Sequence, residues 1–94
     1  MNLNKYPAMS LNEVLKYEED AKRLGVSEVA RGPNGFLTAY KRAKTFNNLS
    51  DFWKNKRNGF IARHLTKALK DNEDLKDYKN NRRSLALIMW GFKP

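Results

Sequence analysis

Ninety-four residues carry 19 Lys+Arg against 10 Asp+Glu, a formal net charge of +9 with a sequence pI near 10.0. A chain of this length builds one hydrophobic core, so residues 1–94 read as a single domain without a second unit for a separate activity. Zero Cys and a single His exclude a disulfide framework, a thiolate metal site and a multi-histidine metal site, and neither metal nor cofactor is expected.

In chain order, residues 1–9, with Pro7, read as an extended lead-in. Nothing in this stretch has the charged start and continuous apolar run of a signal peptide, which with the lack of cysteine points to the cytoplasm. Ser10 with Glu13 three residues on is a capping-box pattern, and Gly25 after Leu24 is a stop. Between them Leu11, Val14, Leu15, Ala21 and Leu24 recur near helical spacing and predict one helix over 11–24, with Glu18, Glu19, Asp20, Lys22 and Arg23 on its wet side. Ser27 is placed to cap a short helical turn near 27–31, which the cluster Gly32-Pro33-Asn34-Gly35 halts. Phe36, Ala39, Tyr40 and Ala43 then form one face of a helix over 35–45, leaving Lys41, Arg42 and Lys44 largely outside it.

Ser50 caps the next helix, predicted over 51–70. At about 100° per residue, Trp53, Phe60, Ile61, Leu65, Ala68 and Leu69 share a broad apolar arc. Lys56, Arg63, Lys67 and Lys70 fall in a narrow stripe beside it, about 21 Å long. His64 projects between Trp53 and Arg57 and reads as a packed or edge histidine, while Phe52 projects opposite Ile61 and is expected to be exposed. Residues 71–81 read as a loop or short helix with Leu75 and Tyr78 as anchors. The segment 82–91 is apolar on every face from Leu85 to Trp90, far short of the roughly 20 residues a bilayer span needs. It is expected to be a core helix, capped by Asn81 and ended by Gly91, around which the others pack. The class is all-α, a small bundle of about four helices.

The charge is segregated along this framework. Residues 1–30 carry net −1, residues 31–70 carry ten bases against Asp51 alone for net +9, and residues 71–94 carry net +1. Clustered like charges repel one another in the folded state, so this concentration points to a surface that faces a polyanion, nucleic acid first among them. The candidate phosphate-holding residues are Lys41, Arg42, Lys44, Lys54, Lys56, Arg57, Arg63, Lys67 and Lys70, with DNA favoured over RNA. Enzyme chemistry fails on inventory, and no catalytic residue is expected. The one imidazole sits mid-helix, the pairs Glu18-Glu19 and Glu73-Asp74 aim in different directions, and no Gly-rich phosphate loop is present. The rival reading is a structural or adaptor protein, for example a phage or virion component. It would assemble through the basic face or the apolar C-terminal helix, the latter as a homo-oligomer through Leu85, Ile88 and Trp90.

The stretch GVSEVARGPNGFLTAYKRAK, Gly25 to Lys44, resembles a helix-turn-helix DNA-binding motif over 20 of the 94 residues. Ser27, Val29 and Ala30 stand as its opening, and Tyr40 and Ala43 fall where the second helix of such motifs turns apolar side chains inward. The resemblance implies that Thr38, Lys41 and Arg42 face a DNA groove. It departs at Pro33, which cuts the first helix short, at Asn34, where the turn usually has Gly, and at Gly35, where a core aliphatic is expected.

Overall fold

The computed structural model describes Leu3 and residues 5–94, so the predicted lead-in at positions 1, 2 and 4 lies outside the described residues. The protein is all-α: α1 (Leu11–Leu15), α2 (Glu18–Leu24), α3 (Glu28–Arg31), α4 (Phe36–Ala43), a 3₁₀ turn (Phe46–Asn48), α5 (Asp51–Lys70) and α6 (Arg82–Ile88). Its radius of gyration of 12.4 Å is that of a compact bundle of this length.

Three of the expected caps form. Ser10 Oγ accepts from the Glu13 N–H at 3.2 Å, Ser50 Oγ from the Trp53 N–H at 3.4 Å, and Asn81 Oδ1 from the Ser84 N–H at 2.9 Å. Gly25 closes α2 in the left-handed region at φ 66°, and the Val26 N–H reaches back to the Ala21 carbonyl at 2.8 Å, so Val26 is folded inward and buried. Ser27 behaves otherwise. It sits left-handed at φ 56° and makes no side-chain cap bond to α3.

The helix expected over 11–24 is two helices. The N–H groups of Lys16 and Tyr17 bond the carbonyls of Glu13 and Val14, three residues back, which tightens and ends α1. A new helix then begins on Glu18, Glu19 and Asp20, three acids that the positive end of a helix dipole favours. The break seats the Tyr17 ring edge-on to Tyr78 at 6.4 Å, while Val14 and Ala21 are both fully buried.

A tight junction joins α3 to α4. A Cβ on Gly35 would stand 2.1 Å from the Val29 carbonyl oxygen and 2.4 Å from that of Ala30, so only glycine lets the start of α4 approach α3 this closely.

The helix α5 has the bounds its sequence period predicts. Arg57, Ile61 and Ala68 are its buried residues, at i, i+4 and i+11 on one meridian. Leu69, expected on the apolar arc, is 82% exposed, because it lies about 100° round the helix from Ala68 and no described element covers that side. Phe52 is exposed as expected.

Only seven residues long, α6 nevertheless lies at the centre. Ser84, Leu85, Leu87, Ile88 and Met89 are fully buried, and the chain leaves the helix in a turn through Trp90 and Gly91, earlier than the expected end at residue 91. The Trp90 indole is stacked between Phe36 at 4.9 Å and Phe60 at 4.5 Å. The expectation that Leu85, Ile88 and Trp90 form oligomer contacts is corrected: the monomer's own core takes all three and leaves almost no free surface on them.

Candidate nucleic-acid interface

The twenty residues of α5 carry most of the candidate cations. Lys56, Arg63, Lys67 and Lys70 are all exposed, and the helical period places them on one side about 21 Å long, turned roughly 130° from the buried meridian. Exposed Phe52 begins the same stripe one turn before Lys56, whose ammonium lies 5.5 Å from the ring centroid. Toward its C-terminal end, Ala62, Arg63, Thr66, Lys67 and Lys70 line a shallow open groove of about 410 Å³. Lys67 is 3.6 Å from Asp71, a solvent-exposed pair of small energetic weight. Lys56, Arg63 and Lys70 have no ion-pair partner among the described residues.

Arg42, exposed on α4, lines a second surface depression with Asn48, Ser50 and Trp53, where α4 meets the start of α5. Lys44 is exposed just past Ala43 at the end of α4, with its backbone at φ 69°. Lys54 is half-buried and committed locally, with its ammonium 3.5 Å from the Asn47 carbonyl and 5.3 Å from the Phe46 ring centroid.

Two candidates leave this surface. Lys41 points across to α2 and pairs with Glu18 at 3.0 Å, an ion pair on the bundle surface that takes up its charge. Arg57 is fully buried, and its assignment as a phosphate contact is corrected. Its guanidinium donates Nε to the Trp90 carbonyl at 2.8 Å, Nη1 to Tyr6 at 2.8 Å, and Nη2 to both Pro7 and Gly91 at 3.1 Å. The Phe46 ring lies 4.9 Å from its central carbon, and no carboxylate among the described residues forms a salt bridge to it. Desolvation lowers its pKa to about 10, with nearby Tyr40 acting the other way. The Tyr40 hydroxyl, donated to the Met9 carbonyl at 2.6 Å, is in turn pushed up by burial against the opposing pull of Arg57. Arg57 is thus a structural clasp between the lead-in and the turn after α6.

No protein-family model matches the chain, and no curated protein or solved structure shows significant similarity to it. Among the described residues there is no cluster able to hold a metal ion, and no helix is long and apolar enough to cross a membrane.

In the α3–α4 unit, Tyr40 is buried and Val29 is 85% exposed. The Thr38 hydroxyl donates to the Gly32 carbonyl at 2.6 Å, so of the three residues expected to face a groove only Arg42 is exposed without an ion-pair or hydrogen-bond partner among the described residues. Sequence reasoning passed over a further basic cluster, Arg82 and Arg83 beside His64. Its signal was the Arg-Arg pair at the start of the last helix, which lies outside the strongly basic 31–70 region.

Proposed function

We propose that this chain binds nucleic acid through its phosphates, along the stripe Lys56, Arg63, Lys67 and Lys70 of α5 with Arg42 adjoining. The single observation that supports this reading is that the stripe stays exposed along a helix whose other side, through Arg57, Ile61 and Ala68, is anchored in the core. A linear array of cations held by a helix follows a phosphate backbone without reading base edges. Duplex DNA is the favoured form, since the stripe has one exposed aromatic, Phe52, where a single-strand platform uses several.

With Arg42, Lys56, Arg63, Lys67 and Lys70 each neutralising one phosphate, log K falls by about 4.5 per log unit of salt, roughly five-hundredfold between about 50 and 200 mM. Fluorescence anisotropy with a random-sequence duplex measures that slope. The double variant Arg63→Gln/Lys67→Gln is expected to flatten it by about 1.8. Absence of binding at the lower salt, or a slope that the double variant leaves untouched, overturns the reading.

A further inference from the structure

Beside the stripe, on the flank of α5 that meets α6, a depression of about 300 Å³ is lined by Val26, Ser27, His64, Arg82, Arg83 and Ala86. Its polar groups come from three separate parts of the chain. Arg83 donates Nε to Glu73 at 2.9 Å and shares Nη1 with His64 Nδ1 at 3.1 Å. A guanidinium only donates, so Nδ1 must hold the lone pair and the ring's proton sits on Nε2. The imidazole leans on Phe60, with centroids 4.3 Å apart, which fixes its plane. Arg82 anchors one Nη to the Leu24 carbonyl, the end of α2. Its remaining N–H groups, the second Nη of Arg83 and the Ser27 hydroxyl have no partner among the described residues.

We infer that this depression is a phosphate-binding site, in which Arg82 and Arg83 supply charge-assisted donors and Ser27 and His64 Nε2 supply neutral ones. The polar side chains that line the depression offer donors and no carboxylate. Glu73 stands behind Arg83, bonded to its Nε, and is not part of the lining. Backbone strain fits the same use: Ser27 is a non-glycine residue in the left-handed region, and it lines the pocket together with Arg82 and His64. The charges facing His64 are Arg63 from its own helix, Arg83 from α6 and Glu73 from the connecting loop, a net positive field that an anion would cancel. Burial first, then the two arginines, hold the ring below its ordinary value of 6.5, so a bound phosphate must push it up. By linkage, phosphate binds more tightly as the ring protonates.

The test is the His64 ring signal, followed by NMR through a pH titration in chloride and in inorganic phosphate at equal ionic strength. Two further arms use a single-stranded oligonucleotide with and without a 5′-phosphate. The expected result is an upward move of the His64 midpoint by about one pH unit in inorganic phosphate. The same move with only the phosphorylated strand assigns a terminal phosphomonoester, and with both strands a backbone phosphodiester. A midpoint that stays put in all arms overturns the site. Arg82→Gln is expected to abolish the move. If that variant does not fold, Ser27→Gly suits the left-handed backbone and is expected to weaken phosphate affinity about threefold. Persistence of the full effect in the folded variant also overturns the assignment. Lys67→Gln/Lys70→Gln, which weakens the α5 stripe alone, leaves the His64 response intact, so this site and duplex binding stand or fall separately.

Discussion

Replacing Arg57 with Met removes a buried cation and keeps a long flexible side chain in its place. Such a change is stabilising where both members of a buried ion pair are exchanged for apolar groups, but here the partners are backbone carbonyls and cannot be exchanged. Gly91 keeps the Met9 N–H at 2.7 Å, whereas Tyr6, Pro7 and Trp90 lose their donor. Each carbonyl left without its donor costs about 1–3 kcal/mol, most at buried Trp90 and least at the part-buried Tyr6 and Pro7 bonds, and relief of the guanidinium's desolvation offsets part of the sum. A net loss of about 3–5 kcal/mol is expected, a large share of the roughly 5–15 kcal/mol that holds a domain together. Urea unfolding followed by the fluorescence of Trp53 and Trp90 measures it. Arg57→Lys keeps the charge but replaces a planar fork of donors with a compact ammonium, so it is expected to recover less than half the loss. A stability for Arg57→Met within about 0.5 kcal/mol of the parent would show that desolvation of the charge outweighs the bonds it makes, and the clasp would have to be abandoned.

His64 sets an acid limit on stability. Its folded pKa is depressed, so below 6.5 the unfolded chain takes up a proton that the folded chain resists. Its contribution is complete above that pH and is lost as pH falls toward the folded value; His64→Gln should remove this part of the decline in unfolding midpoints between about pH 7 and 5.5. Two glycines should respond in opposite senses to alanine. Gly35→Ala drives a methyl into the Val29 and Ala30 carbonyls and is expected to cost about 3 kcal/mol. Gly59→Ala meets only Arg63 Nη1 at 3.4 Å and is expected to gain up to about 1 kcal/mol in helix propensity. Thermal melts that rank these two the other way round refute the α3–α4 contact. Glu18→Gln, which frees Lys41, is expected to leave the fold intact and to raise duplex affinity slightly at low salt, as anisotropy titrations would show.

Three helix starts and one whole helix were legible from local signals, while the Ser27 cap and the Gly91 stop were not realised as read. Ser10, Ser50 and Asn81 bond the third N–H after them, and α5 starts and stops where its apolar period does. The stripe of α5 was legible for the same reason, since the helical period fixes which side chains share a side. Contacts between elements were not. Nothing near Lys41 announces Glu18, 23 residues earlier, and the pairing exists only because the fold brings the two side chains within 3.0 Å. Arg57 did carry a signal, its place on the apolar arc, but its charge argued for the surface, and the carbonyls that draw it inside lie 33 to 51 residues away. The break in the first helix was written in Glu18, Glu19 and Asp20, which read equally well as a wet face and as the start of a new helix.

The clasp has a consequence for the order in which the protein can be made. A chain emerging from the ribosome has all of α5 before Trp90 and Gly91 exist, and until then Arg57 has only the carbonyls of Tyr6 and Pro7 to hold. Phe36 and Phe60 meanwhile lack the indole that joins them. The clasp and the aromatic stack therefore close only when the turn after α6 is delivered. A nascent chain stalled before that point carries the basic stripe of α5 on a helix held by its earlier contacts alone, among them Trp53 against Phe36 and Arg57 against Tyr6 and Pro7.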